Sequence, residues 1–433
     1  MVTKENVGVF ITERKGKPLE FASAVMKEQD SYLVCMQQSQ ISIAEVAVSI
    51  GETVLEGTLI GRPRDRFGCF VYSPVSGKVV DIIQRLSIYG ELVDHVLIIA
   101  DKQNKSSDLP KIKEFNRKTI LERLMTSGII GINGQPSYTK YIRKPIEKSR
   151  LFISCIDNDP YLSAEEVNFR ENMEDCVKGA ELFSKLVNVE VVTFLFSSNQ
   201  KSAVKAFKKY LKQTRNRLVN AKVIDNVYPL SLVEITKNVS GKHLDDKGRY
   251  ERGIYIESGL AAKQLYDAAY NNKPVTARLM TISGTGFIRK ANYLVKNGTS
   301  LKAILDFVGV NNKESTFKMI CGGAMTGIAQ ESEEASVNMS VPAVLFMTKM
   351  EFSPEKESPC ISCGRCVDVC PAGIMPYRIE ECLLSGDYDI ARRFGIHACT
   401  SCGACSYVCP AKRYLAQRIT DGREKISKSG GNK

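Results

Sequence analysis

The chain has 433 residues, 43% of them hydrophobic and 25% charged, with a formal net charge of +12 and fourteen cysteines. This length and composition exclude a single small core and a disordered chain, leaving a globular protein of roughly two to four domains. No apolar run is long enough to cross a bilayer, and "MVTKENVGVF" lacks the basic start and apolar core of a signal peptide. A cytoplasmic protein is expected, meeting membranes through partners alone.

Residues 1–110 read as short apolar strands broken by glycine turns. Within them "VSIGETVLEGTLIG" (48–61) and "VYSPVSGKVVDI" (71–82) resemble the paired halves of a biotinyl/lipoyl-type barrel-sandwich hybrid. The lysine tripeptide of a carrier domain is missing, and Lys78 reads as a surface residue on a strand. The polar stretch 101–111 is a linker. Over 115–250 helices and strands alternate, which predicts a Rossmann-like parallel sheet covered by helices. "RKTILERLMTSG" is a helix ending at Gly128. "SRLFISCI" is a strand, and 163–186 reads as one long helix opened by a Ser163/Glu166 capping box. "VEVVTFLFS", the basic helix "KAFKKYLKQTRNR" (205–217) and "AKVIDNV" complete a βαβ unit. Val204, Phe207 and Leu211 share one stripe there, so the lysines form a solvated face. Docking of an acidic redox partner is the second reading, and nucleic acid is not expected. Residues 251–350 return to strands around one short helix at 301–308, a β-grasp pattern. The cysteine region occupies 355–418, and 419–433 is a basic tail expected to be disordered.

Eight of the fourteen cysteines lie in "CISCGRCVDVCP" (360–371) and "CTSCGACSYVCP" (399–410). A disulfide framework is a poor reading for a large cytosolic chain, where thiols stay reduced. Cys35, Cys69, Cys155, Cys176, Cys321 and Cys382 sit singly among apolar residues and read as small buried hydrophobes. Each run is C-x2-C-x2-C-x3-C-P, a two-cluster ferredoxin pattern in which three cysteines serve one [4Fe–4S] cluster and the fourth serves the other. Cys360, Cys363, Cys366 and Cys409 are therefore expected to hold one cluster. Cys399, Cys402, Cys405 and Cys370 are expected to hold the second. Zinc ribbons pair two C-x2-C knuckles instead. Gly364 and Gly403 let the loops turn close to the cluster, and proline after each fourth cysteine stops a helix from continuing. The insert 371–398 holds two short helices, "PYRIEECLLSG" and "YDIARRFG", and His397 reads as a surface residue.

Together these segments resemble the RnfC-like electron-transfer family (the RnfC, PrdC and PduS group) from about residue 45 to 418. The cysteine runs carry the likeness, with "RLMTISGTGFIRKANYLVKNGTSLKAILDFVG…MICGGAMTG" (278–327), which resembles an SLBB β-grasp domain. "GIYIESGLAAKQLYDAAYNNKPV" (253–275) resembles the segment leading into it. The PduS order places its ferredoxin region internally, so RnfC or PrdC fits better. The resemblance implies a domain like the complex I flavin subunit, with FMN on a glycine loop and an acidic segment. The matching positions are Gly128, Gly131 and Gly134 in "GIIGINGQPSYT", and Asp157 and Asp159 in "DNDPY". Where the family writes G-x-x-G-x-G-G-A-x-F-P-T, this chain has Asn133, Gln135, Ser137 and Tyr138, and Pro136 removes an amide donor. "YPLSLVE" (228–234) lacks the family's glycines and displaces Glu234. FMN stands as an open expectation, and direct NADH oxidation as an unfavoured one.

The expected role is an electron-transfer oxidoreductase component. It passes electrons through two [4Fe–4S] clusters between a flavin, nicotinamide or protein donor and a partner of an electron-transport complex, with no catalytic acid, base or nucleophile. Two alternatives stay open: a soluble PrdC-type donor to a partner reductase such as proline reductase, and a non-redox assembly scaffold. Expected partners are other members of the complex, a partner reductase or a ferredoxin, at the cytoplasmic face of a membrane.

Overall fold

Alternating buried and exposed side chains build the first unit from short antiparallel strands. The computed structural model describes residues 8–242, 244–310, 316–349 and 356–430. One sheet runs in the order Ser31–Cys35, Leu92–Ala100, Gly77–Leu86, Thr53–Val54, and the other joins Ala44–Val46, Leu59–Pro63 and Val71–Tyr72. Tyr32, Val34, Ile60, Val71, Val79, Val96 and Ile98 close the core between them. Gly77 is there because a Cβ would stand 2.0 Å from the Ile99 carbonyl oxygen. Lys78 is exposed on its strand.

The second unit is an all-parallel sheet in the order Val219–Ile224, Val192–Ser197, Arg150–Ser154, Ile254–Ser258. Helices Met173–Val187 and Gly259–Tyr270 pack together so closely that a Cβ at Gly179 would lie 1.8 Å from the Ala262 carbonyl oxygen. Phe169, Phe194, Phe196 and Phe207 interlock beneath the basic helix Lys201–Thr214. Two expectations need correction here. The long helix is broken into Ala164–Glu171 and Met173–Val187 at Asn172, and the Ser163 side chain caps nothing. The remote Asp157 carboxylate accepts from the Glu165 and Glu166 amides at 3.1 and 3.0 Å and does the capping instead. The boundary at 250/251 also falls too early, since Ile254–Ser258 completes the parallel sheet.

Glu165 sits beside that cap, where its carboxylate accepts from the Leu260 amide at 2.9 Å. Burial, with the nearby Asp157 carboxylate, pushes Glu165 up to about 7. A carboxyl whose folded pKa is raised binds more protons folded than unfolded, so stability falls as pH rises from the ordinary carboxylate range to about 7. Glu165→Gln keeps an acceptor for Leu260 without the charge. It should be more stable than the parent at pH 8 by on the order of 1–2 kcal/mol, discounted for partial exposure, with the gap closing towards pH 5. Melting curves across that range check it.

The third unit is a mixed sheet ordered Ala24–Val25, Ala291–Lys296, Ala277–Ser283, Ala343–Thr348, Thr316–Cys321, Ile328–Gln330. Helix Leu301–Val308 lies where the pattern predicts it and buries Leu301, Ile304, Leu305 and Val308. Ala24–Val25 enters this sheet from the N-terminal segment, so the 1–110 unit is not self-contained.

The last unit is helical. Ile374, Ile379, Ala391, Ile396, Ile419 and Ile426 form its core. The buried Glu380 is clamped by Arg413, at 2.6 Å, and by Arg418, which also holds Glu357 at 2.7 Å. The expected disordered tail is wrong over most of its length. Leu415–Gly430 is one helix, because Leu415, Ile419 and Ile426 recur on a single face and bury. The junction expected at 350–355 and the last three residues lie outside the described residues.

Candidate iron–sulfur centres and the flavin-type loop

The two cysteine runs fold as copies of one another. Ser362 and Ser401 have φ of 51° and 54°, and Gly364 and Gly403 both have φ of 77°. Each glycine starts a short helix, Arg365–Asp368 or Ala404–Tyr407, that carries the third cysteine inward. A glycine suits this left-handed start because any side chain would be strained there. The chain then leaves the helix, and the fourth cysteine points across to the other copy.

Two cavities result. One is lined by Cys360, Cys363, Cys366 and Cys409, with Ile361, Arg365 and Tyr377. The other is lined by Cys370, Cys399, Cys402 and Cys405, with Ile374, Ala416 and Ile419. The structure thus gathers both expected sets, each with one cysteine from the other run. Among the described residues, no three His, Cys, Asp or Glu side chains converge tightly enough for one metal ion. Four sulfurs spread around a cavity fit a cubane, with a thiolate on each of four irons, better than a zinc ion needing all four at about 2.3 Å. Burial pushes the thiols of Cys366, Cys370, Cys402 and Cys405 up, so thiolates there need a cationic partner such as iron. Amides of Ile374 and Ala372 approach Cys370, and those of Tyr377 and Ala404 approach Cys366 and Cys402. His397 is exposed, as are Cys360 and Cys363.

The flavin-type loop presents a different picture. Gly128 and Gly134 have φ of 76° and 71°, but the loop amides are turned on the loop itself. Gly131 donates to Gln135 O at 2.7 Å, Gly134 to Gly131 O at 3.0 Å, and Ser137 to Ile129 O at 2.9 Å. Pro136 has no amide to offer. Behind Gly131 lies a buried pair that sequence reasoning missed: Lys140 Nζ sits 2.8 Å from Glu257 Oε1, which also accepts from Ser137 Oγ at 2.7 Å and Tyr141 OH at 3.2 Å. Nothing in the sequence marks Lys140 as buried, and its partner lies 117 positions away. The acidic segment is also engaged. Asp157 caps a helix, and Asp159 accepts from the Met325 and Tyr161 amides at 2.9 and 3.2 Å. In this conformation Gly131, Gly134, Asp157 and Asp159, four of the five residues expected to hold FMN, bond to the protein itself.

Three family models match successive parts of the chain. Residues 5–103 match the RnfC barrel sandwich hybrid domain, 124–259 the Nuo51 FMN-binding domain, and 353–410 a 4Fe-4S dicluster domain. The chain is RnfC-like. It is 28% identical over 371 residues to the C component of the ion-translocating oxidoreductase complex of Rhodobacter capsulatus, covering 83% of this chain and 71% of that protein. It is 29% identical over 372 residues to the C component of the proton-translocating ferredoxin:NAD(+) oxidoreductase complex of Clostridium ljungdahlii, covering 83% and 79%. The fold is shared with an NAD+-reducing [NiFe]-hydrogenase in the H2-reduced state, at TM-score 0.51 and 10% identity, over 71% of this RnfC-like chain and 61% of the hydrogenase chain. A dicluster domain attached to a flavin-type domain makes this an electron-transfer protein. No helix among the described residues is long and apolar enough to cross a membrane.

Proposed function

We propose that this chain is the relay component of a multi-protein oxidoreductase, moving single electrons between a donor at its flavin-type side and a partner protein of the complex. The observation that carries this reading is the pair of four-cysteine rings, each completed by a cysteine from the other run. Cys360, Cys363, Cys366 and Cys409 would hold one [4Fe–4S] cluster, and Cys370, Cys399, Cys402 and Cys405 the other. Bound there, such clusters supply reversible one-electron storage at a potential set by charge, burial and hydrogen bonds to sulfur. The chain's own work is to fix the rings close together, aim amides at the sulfurs and keep water off the inner faces with Ile374, Ile419 and Leu415.

In the same reading, 8–110 is the barrel-sandwich unit, 115–270 the α/β unit, 275–349 an SLBB-type β-grasp unit, and 356–430 the ferredoxin unit. The fold of the third is supported by one helix packed on a mixed sheet. The protein would sit at the cytoplasmic face of a membrane through other members of the complex; its relatives are named as components of ion- and proton-translocating complexes. The closed glycine loop favours a protein donor over NADH, which keeps a PrdC-type carrier as the second reading. Anaerobically purified or reconstituted protein should hold about eight irons and about eight sulfides, with the broad visible absorption of iron–sulfur charge transfer. Stoichiometric zinc and a colourless protein would overturn the relay.

A further inference from the structure

The two rings meet the rest of the molecule differently. The loop 399–405 is docked on the body at two points. The Tyr228 hydroxyl donates to the Cys402 carbonyl oxygen, joining the α/β unit to a ring residue. Gly403 lies so close to the turn after Thr316–Cys321 that a Cβ would stand 2.7 Å from the Met325 carbonyl oxygen. Both docking points are themselves held. Tyr228 is 6% exposed, its backbone pairs with Val9 in both directions at 2.7 and 2.9 Å, and the Leu230 amide donates to Asn158 Oδ1 at 2.7 Å. Met325 donates its amide to Asp159 Oδ2 at 2.9 Å, and Gly323 packs against the same carboxylate. The "DNDPY" segment therefore commits Asn158 and Asp159 to the two supports under the 399–405 loop. The other ring faces outward: Cys360 and Cys363 are exposed, and Ile361 between them is 66% exposed.

We infer that the ring of Cys370, Cys399, Cys402 and Cys405 is the inner redox site, joined to the body by Tyr228, Met325 and Asp159. The ring of Cys360, Cys363, Cys366 and Cys409 is the outer site, where a partner redox protein exchanges electrons. This rests on the proposed relay. Asp159 and Tyr228 are positioning residues: neither lines the cavity, and each acts through the backbone that carries Cys402 and Gly403. An electron entering from the body reaches the inner ring first and passes, one at a time, to the outer ring. The outer ring is reoxidised by the partner, with no proton or bond change required of the chain. The geometry also explains an asymmetry between otherwise matching loops. Gly364 has open space where Gly403 has Met325, although both share a φ of 77°.

The test uses the full chain with both clusters in place, and it reads iron release and spectra rather than turnover. Under an anaerobic bipyridyl challenge, iron should leave in two phases. The fast phase should be missing in Cys363→Ala, which assigns it to the outer ring. Tyr228→Phe keeps the ring packing and removes the hydroxyl. It should speed the slow phase several-fold and shift the midpoint potential and EPR line shape of the inner cluster alone. Asp159→Asn, which leaves one acceptor for Met325, should give a smaller change of the same kind. If Tyr228→Phe alters the outer cluster, both clusters or neither, or if the fast phase survives Cys363→Ala, the assignment is wrong although the relay stands. A parent protein that binds no clusters at all would instead overturn the relay itself.

Discussion

Cys370→Ala should cost the protein the cluster of the opposite run, dropping its iron from about eight to about four per chain. Cys370 belongs by sequence with Cys360, Cys363 and Cys366, yet it lines the cavity of Cys399, Cys402 and Cys405. The reason is local. After the short helix Arg365–Asp368 the Cys370 amide closes a turn on the Val367 carbonyl at 3.2 Å, and Pro371 prevents any further helix. The side chain therefore emerges beyond its own loop. Cys409→Ala should do the mirror-image damage to the ring of Cys360, Cys363 and Cys366, because Cys409 lines their cavity. Cys382→Ala is the control, since Cys382 lines neither cavity and should leave both clusters. Iron analysis with EPR on these three variants and on Cys402→Ala decides it. If Cys370→Ala keeps the spectrum that Cys402→Ala loses, the crossed assignment fails.

The rings could be read from sequence because spacing alone constrains them: a C-x2-C-x2-C loop has few ways to gather three sulfurs, and a following x3-C-P must point elsewhere. The parallel sheet and helix 301–308 were also legible, since their hydrophobic periods are local. What escaped depends on distant partners. Nothing in "DNDPY" says that Asp157 will cap a helix or that Asp159 will hold the Met325 amide, 166 residues away. The Lys140–Glu257 pair spans 117 positions and is equally invisible. The last helix is another matter. Its polar residues masked a stripe of Leu415, Ile419 and Ile426 that the helical period could have revealed. The break at Asn172 had a weaker signal, because the run from 163 to 186 keeps helical composition on both sides of it.

Supplied with FMN and intact clusters, the protein should bleach slowly or not at all with NADH and promptly with dithionite. For flavin phosphate to be gripped by the glycine loop, the amides of Gly131, Gly134 and Ser137 must leave the partners they now hold. At a net ~0.5–1.5 kcal/mol each, opening three such bonds costs about 1.5–4.5 kcal/mol, a penalty of roughly 10- to 2,000-fold in affinity. Pro136 cannot help, and the space behind Gly131 is taken by Lys140, which a Cβ there would approach to 2.8 Å. Moving Lys140 would leave Glu257 as a buried carboxylate without its cation, a further cost. None of this touches the cysteine rings, which lie in a separate unit, the 399–405 loop packing on Tyr228 and Met325 instead. A reduced ferredoxin or flavoprotein should therefore still deliver electrons when NADH does not. Anaerobic stopped-flow at the cluster absorption separates the two cases. Rapid bleaching by NADH would mean that the loop opens readily and that the chain accepts hydride through flavin. Fast reduction by a protein donor alone would mark it as a relay fed by another protein.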